Sequence, residues 1–133
     1  MHYSRLCALP IDSHTSDVDA TAGFWANALG RPDHRCSRGN SRMLETPPDE
    51  RIVEIPRVEH ERRVHINIET DDIAAKVARL ENLGAGVVDR PARRVVMPAP
   101  TGQRFCTVRA QRPGFSKNAN RRGQELFVRF AEI

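Results

Sequence analysis

One pattern of residues occurs twice in this 133-residue chain, and this repeat constrains the fold more than any other feature. Asp17 matches Asp71 and Gly30 matches Gly84, both at an offset of 54 residues and without a gap between them. A repeat of this size is typical of a supersecondary unit that cannot bury its hydrophobic face alone. We therefore expect two similar units that pack together within one domain.

Each repeat contains a segment with the pattern of an amphipathic helix. In the first, Ser16 or Asp17 is a suitable N-cap, and Gly30 suits the position just after the last turn. Apolar residues recur at helical spacing between these limits. They are Val18, Ala22, Trp25 and Leu29.

The second helical segment has the same limits and the same stripe. Thr70 or Asp71 is predicted to cap it, and Gly84 to end it. Its apolar stripe consists of Ile73, Val77, Leu80 and Leu83.

Extended segments flank both helices. RLCALPIDS precedes the first helix and RRVHINIET precedes the second. Short β-like pieces broken by Pro and Gly follow each helix: SRMLE and RIVEIPR in the first half, and AGVVDR, RRVVMPA and QRFCTVRA in the second. The order strand–helix–strand–strand–strand, read twice, predicts an α+β fold of two tandem βαβββ modules. We place module 1 at about residues 3–58, module 2 at about 62–110, and a C-terminal extension at about 111–133.

Composition excludes several classes of protein. No apolar run approaches the ~20 residues that span a bilayer, and the first residues lack the apolar region of a signal peptide. We therefore expect a cytoplasmic protein with no membrane partner. Cys7, Cys36 and Cys106 are irregularly spaced, which argues against a disulfide framework and against a zinc knuckle.

The net charge of +4 is unevenly distributed. Between Arg104 and Arg129 there are seven Lys or Arg residues and one acid, Glu125. No nucleic-acid reader motif accompanies them, so no nucleic-acid partner is predicted. The basic residues form either a solvated surface or one that prefers small anionic ligands.

Four segments carry a resemblance to a known family. FWANALG, RVHINIETDD, VARLENLGAGVV and PTGQRFCTVRA resemble the glyoxalase/bleomycin-resistance/dioxygenase group, or vicinal oxygen chelate superfamily, and most closely its glyoxalase-like domain branch. The resemblance runs from about residue 4 to about residue 120. It implies a curled mixed sheet around a cleft, with metal ligands on the first and last strand of each module in the metal-binding members. It also implies a homodimer, since relatives frequently dimerise.

The strand VHINIE alternates between polar and apolar residues. His65, Asn67 and Glu69 share its polar face, and Val64, Ile66 and Ile68 share the other. In the resembling family the position of His65 often carries a metal-binding histidine. The alternative is a hydrogen-bonded histidine that lines the cleft.

The last predicted strand of module 2 places Arg104 and Cys106 on one face. Metal-dependent relatives carry a glutamate at the position of Cys106. A thiolate binds zinc but suits Mg²⁺, Mn²⁺ or Fe²⁺ poorly, and a buried Cys is also a common apolar filler. Arg104 would repel a cation on this face and attract an anion.

The first module departs further from the family pattern. Pro10 or Ile11 falls at the first-strand ligand position, and neither can bind a metal. Glu54 is a candidate for the last strand, although it would equally suit a solvent-facing position. A catalytic metal site needs about three protein ligands, so we expect no cofactor and no full metal site. If a divalent metal binds, the resemblance implies His65, Glu54 and Cys106 as ligands, and zinc suits them best.

Two further polar residues precede the first helix. Asp12 and His14 share a face with Pro10, and we consider them as an acid–base or hydrogen-bonding pair at the mouth of the cleft. The alternative for D-S-H-T-S-D is a turn and helix cap, because Asp and Ser readily bond their own backbone.

Three functions are compatible with this sequence. The first is a metal-dependent lyase, isomerase or dioxygenase of the superfamily, which needs a ligand set that the sequence lacks. The second, which we favour, is a metal-free protein that binds a small anionic molecule. The third is a metal-free enzyme with His65 or His14 as base and Arg104 stabilising negative charge. The ligand-binding candidates are Asp12, Glu54, Asn67, Arg104 and Cys106.

The last residues, ELFVRFAEI, alternate as a strand would, with Leu126, Val128 and Phe130 on one face. They run past the end of the resemblance, which predicts an added edge strand or a contact with a partner.

Overall fold

The computed structural model describes residues 2–36, 41–91 and 93–122, and it is of the mixed α+β class that the sequence predicts. Contacts divide the chain into two compact units, Cys7–Asn67 and Met1–Leu6 with Ile68–Ile133. We call them the first and the second unit. The elements are β1 (His2–Asp12), α1 (Val18–Leu29), β2 (Asp33–Arg35), β3 (Ser41–Leu44), β4 (Ile52–Pro56), β5 (Arg63–Val64), β6 (Ile66–Thr70), α2 (Ile73–Asn82), β7 (Arg94–Pro98), β8 (Arg104–Arg109), α3 (Phe115–Asn118) and β9 (Asn120–Arg122).

In the first unit, α1 packs on strands whose neighbours run in the order β2, β3, β4, β1. The pairings of β2 with β3 and of β3 with β4 are antiparallel, whereas β1 and β4 are parallel, with Pro10 opposite Glu54. The short strand β5 pairs antiparallel with the end of β1, so that Asp12 lies opposite Arg63. A core forms between α1 and these strands; its fully buried members are Ala22, Leu44 and Ile55.

Helix α1 begins and ends where the sequence predicts. The carboxylate of Asp17 accepts a hydrogen bond from the backbone N–H of Ala20 over 3.0 Å, which satisfies one otherwise unpaired donor of the first turn. Gly30 has φ 68° and ends the helix in the left-handed conformation. Of the predicted stripe, Ala22 is buried, whereas Leu29 is exposed and lies beyond the contact with the core.

In the second unit, β7 and β8 form an antiparallel pair with Val96 opposite Cys106. The segment AGVVDR lies along the other side of β7: the N–H of Val88 donates to the carbonyl of Val96, and the N–H of Val96 donates to that of Asp89, both over 2.9 Å. Strand β9 pairs antiparallel with the start of β1. The buried core residues here are Val77, Val95, Met97 and Phe105.

The N-cap of α2 lies one residue later than the gapless repeat predicts. It is Asp72, whose Oδ1 accepts from the N–H of Ala75 over 3.0 Å, and neither Thr70 nor Asp71. Both of those side chains bind β1 instead: Asp71 accepts from the N–H of Tyr3 over 2.9 Å, and Thr70 donates to its carbonyl over 2.8 Å. Thr70 and Asp71, which local propensity favours as caps, therefore make a tertiary contact with β1 instead.

The order strand–helix–strand–strand–strand is confirmed in the first half; in the second half AGVVDR hydrogen-bonds to β7 without forming a strand of its own. The sequence did not single out the three residues of β2 as a strand. The predicted strand in ELFVRFAEI lies outside the described residues. None of the described helices is long and apolar enough to cross a membrane.

Candidate functional site

A buried aspartate and a histidine from neighbouring strands form the centre of the candidate site in the first unit. The pairing of β1 with β5 continues to His65, whose backbone N–H donates to the carbonyl of Pro10 over 3.1 Å. This register places the His65 Nδ1 atom 2.9 Å from Oδ2 of Asp12. Asp12 is only 4% exposed, so this carboxylate depends on protein donors rather than on water.

Two further groups approach the same carboxylate oxygen. Nε of Arg63 lies 3.5 Å from Oδ2 of Asp12, and Nε2 of His60 lies 3.7 Å from it. An Nη2 atom of Arg63 is also 3.3 Å from Nε2 of His60. The side chains of Arg63 and His60 are 40% and 43% exposed. We call Asp12, His60, Arg63 and His65 the Asp12 cluster. Its carboxylate is buried, whereas the side chains of His60 and Arg63 are partly exposed.

Asp12 determines what His65 can do chemically. A neutral imidazole that donates from Nδ1 to a carboxylate carries its lone pair on Nε2, where it can act as a base. An imidazolium in the same position donates from Nε2 as well, and it can then bind an anion. The hydrogen bond also restricts the rotation of the ring, which orients Nε2 for either purpose.

Asn67 lies within β6, two residues beyond His65, which connects β5 to β6. It is 8% exposed. Its Oδ1 atom is buried and has no hydrogen-bond partner among the residues that the structure describes. An unpaired buried acceptor of this kind costs about 1–3 kcal/mol.

Glu54 lies opposite Pro10 in the parallel pair of β4 and β1. It is partly buried, and its carboxylate raises the pKa of the Cys36 thiol, although burial of Cys36 is the larger cause. The guanidinium of Arg42 opposes both effects. Glu54 therefore lies in the first unit near Cys36, and the raised pKa of Cys36 favours the neutral thiol.

The other candidates are distributed more widely. His14 is exposed in the segment after β1, and the partner of Asp12 is His65. In the second unit, Arg104 is exposed at the start of β8, whereas Cys106 is 5% exposed within that strand. The structure thus joins two of the sequence candidates, Asp12 and His65, by a direct hydrogen bond.

Sequence reasoning missed the role of two members of the Asp12 cluster. The alternation of RRVHINIE places Arg63 on the opposite face from Val64 and so on the face of His65, which is the signal that would have found it. His60 lies in a charged loop without periodicity, and only its contact with Asp12 in space reveals it.

Glu69 shares the polar face of the strand and has a different role in the second unit. It is fully buried, and Oε2 accepts from Nε of Arg5 over 2.8 Å. Oε1 accepts from the backbone N–H groups of Gln111 and Arg112 over 2.6 and 3.0 Å. Arg5 in turn donates to the carbonyls of Arg112 and Pro113. These contacts fasten the segment after β8 to β1 and β6, which is a structural role.

Among the described residues, no group of three or more His, Cys, Asp and Glu side chains is arranged to hold a metal ion.

Comparisons with known proteins agree with the fold. The family described as "Glyoxalase-like domain" matches residues 8–108. A hypothetical protein from Bacillus halodurans is 12% identical, with a TM-score of 0.59, and the match covers 84% of this chain and 97% of that one. Methylmalonyl-CoA epimerase from Mycobacterium tuberculosis is 16% identical, with a TM-score of 0.55 and coverage of 80% and 87%. At these identities the similarity shows the fold alone. No curated protein matches the sequence.

Proposed function

The chain belongs to the glyoxalase-like domain family, and we propose that it binds a small organic anion, such as a carboxylate, at the Asp12 cluster without a full metal site. The observation that carries this proposal is the 2.9 Å contact between His65 and the buried Asp12, with Arg63 beside them. An imidazolium fixed in this way and a half-exposed guanidinium are two donors suited to one carboxylate.

The donor set supports an anion rather than a metal. Pro10 or Ile11 falls at the position of the first-strand ligand in metal-binding relatives, and neither side chain has a donor atom. Asp12 is already within 3.5 Å of the Arg63 guanidinium, and a divalent cation there would meet a fixed positive charge. The residues present therefore do not fit the metal of the family, and we derive no step through one.

The test is a binding screen of small carboxylates by isothermal titration calorimetry, with the neighbouring arginines as a matched pair. We expect Arg63→Ala to weaken binding about tenfold or more, since charge-assisted hydrogen bonds are worth about 1.5–3 kcal/mol. Arg62→Ala, which removes an exposed neighbour of the same charge, is expected to leave the affinity within about twofold. Equal effects of the two variants would show that only overall charge matters.

Arg104→Ala separates this assignment from the one based on the sequence, in which Arg104 on β8 holds the anion. We expect full affinity in that variant. Elemental analysis of the purified protein tests the metal-free part of the proposal. One tightly held metal ion per chain, lost in His65→Ala, would contradict it.

A second candidate is a metal-independent enzyme in which His65 is the general base. The hydrogen bond from Nδ1 to Asp12 favours it, because a fixed tautomer with a lone pair on Nε2 is what a proton-abstracting histidine needs. The assay is deuterium incorporation from D₂O next to the carbonyl of carboxylates and thioesters, with methylmalonyl-CoA as one probe. We expect exchange to fall about 10²–10⁴-fold in His65→Gln. Ligands recovered without deuterium would leave binding as the function.

We also propose, from the family resemblance, that the chain acts as a cytoplasmic homodimer. Size-exclusion chromatography with light scattering tests the oligomeric state. A mass of 15.0 kDa at every concentration would contradict the dimer.

A further inference from the structure

In the first unit, two described residues have a buried side-chain atom without a hydrogen-bond partner: Arg42, which donates to two carboxylates through its other nitrogens, and Asn67. The Oδ1 atom of Asn67 is buried and has no hydrogen-bond partner among the described residues. Buried side-chain oxygens nearly always have a partner, and an orphan requires an explanation, such as a group that completes it when bound. Leaving it unpaired loses its hydration without compensation.

The position of Asn67 relative to His65 indicates which ligand carries the group that pairs with Oδ1. His65 and Asn67 belong to the same unit, and Cα atoms two residues apart in an extended chain are about 6.5 Å from each other. A small molecule whose carboxylate contacts His65 and Arg63 therefore extends within reach of the Asn67 amide. This step rests on the proposed function, because it assumes that the Asp12 cluster holds the anionic end.

We infer that the ligand is a hydroxylated carboxylate whose hydroxyl group donates to Oδ1 of Asn67. The acceptor requires an O–H or N–H donor. An ammonium donor would bring a positive charge towards Arg63 and two imidazoles, whereas a hydroxyl group is neutral and small. Asn67 is then the residue that distinguishes hydroxy acids from their unsubstituted analogues. A site that hydrogen-bonds a hydroxyl rejects the analogue without it, since its own polar group is then left unpaired.

The experiment compares three dicarboxylates that differ at one carbon: malate with a hydroxyl, succinate with a hydrogen, and 2-methoxysuccinate with a methyl ether. Affinities are measured by calorimetry on the wild-type chain. We expect malate to bind about tenfold more tightly than either of the others. The ether can accept but cannot donate, so its failure would show that the protein group is an acceptor, as Oδ1 of Asn67 is, and not a donor such as the amide nitrogen.

Asn67→Leu tests the residue itself. The variant removes the orphaned acceptor and keeps the number and branching of the side-chain heavy atoms, so we expect an unchanged or higher Tm together with equal affinities for malate and succinate. A merely structural Asn67 would give the opposite result, a lower Tm and an undiminished preference for malate. Asn82→Leu, at an exposed position at the end of α2, is the control and is expected to keep the malate preference.

The outcomes distinguish the role of Asn67 from anion binding at the Asp12 cluster. Equal binding of all three ligands to the wild-type chain would overturn the role of Asn67 and leave anion binding at the cluster intact. Binding of none of them, together with no response to a wider panel of hydroxylated and unsubstituted monocarboxylates, would overturn both. The comparison on the wild-type chain needs no variant, so equal binding of the three ligands would overturn the role of Asn67 even if Asn67→Leu does not fold.

Discussion

Nε of Arg5 donates to the fully buried carboxylate of Glu69 over 2.8 Å, across 64 residues of sequence. Both partners lie in the second unit, where a guanidinium nitrogen of Arg112 is 3.8 Å from the same oxygen. Arg5 also lies over the ring of Phe115, 5.4 Å from its centroid. One carboxylate thus compensates two buried guanidinium groups, and the segment after β8 depends on it.

Glu69→Gln is expected to lower the free energy of unfolding by about 3–5 kcal/mol. The amide oxygen can still accept from the backbone of Gln111 and Arg112, but it no longer compensates the charges of Arg5 and Arg112. Urea denaturation measures the change. The control is Glu50→Gln, which removes an ion pair with Arg31 whose glutamate is 52% exposed, and which should cost only about 0–1 kcal/mol. Similar small losses in both variants would contradict the structural role of Glu69.

The fold could be predicted because its signals are local. The pattern from Asp17 to Gly30 contains its own cap, stripe and terminator, and it folds in the structure as α1 with those limits. The prediction for α2 is one residue off because Asp71 binds Tyr3, and that contact depends on the pairing of segments 68 residues apart. Alternation predicts His65 and Asn67 on one face, but it could not say what that face meets.

The site could be predicted only in part, since it depends on register. Asp12 and His65 are 53 residues apart, and their hydrogen bond exists because β1 and β5 pair with Asp12 opposite Arg63. A shift of one residue would point every side chain of the short strand to the other face. The contribution of His60 comes from a loop, where no periodicity predicts direction.

The ring of His65 should be found in the Nδ1–H tautomer when neutral, because Asp12 accepts from that nitrogen. Nitrogen-15 chemical shifts of the histidine rings report the tautomer directly. His14, which is exposed, is the internal reference and should show mainly the Nε2–H form of a free imidazole. Asp12→Asn should shift His65 towards the pattern of His14. An unchanged spectrum in that variant would contradict the role of Asp12 as the group that orients His65.

His2 should make stability depend on pH on the acidic side. Burial lowers the pKa of this imidazole below its usual value of 6.5, and the charge of Lys76 lowers it further; Arg79 and the N-terminus act in the same direction, and Asp71 opposes them. The unfolded chain therefore binds a proton at a higher pH than the folded chain does. The contribution of His2 to stability is complete above about pH 6.5 and is lost as the pH falls below it, with a slope of at most about 1.4 kcal/mol per pH unit.

Urea denaturation at pH 7, 6 and 5 checks this expectation. His2→Leu should reduce the loss of stability between pH 7 and pH 5, because the group that binds the proton is gone. His34→Leu, at an exposed position in β2, should retain the slope of the wild-type chain. The same slope in the wild-type chain and in His2→Leu would assign the pH dependence to other groups.

Three Gly→Ala variants should change stability by different amounts and in different directions. Gly23 lies inside α1, and a Cβ there would meet no atom within 4 Å, so Gly23→Ala should stabilise by about 0.5–1 kcal/mol. Gly30 has equally open surroundings but a φ of +68°, so Gly30→Ala should destabilise by about 1–2 kcal/mol from the backbone alone. Gly84 has a φ of +104°, and a Cβ there would lie 3.2 Å from Cγ of Pro100, so Gly84→Ala should cost more than Gly30→Ala. The difference between the last two combines the contact with Pro100 and the larger φ of Gly84, and equal losses would contradict an added cost from that contact.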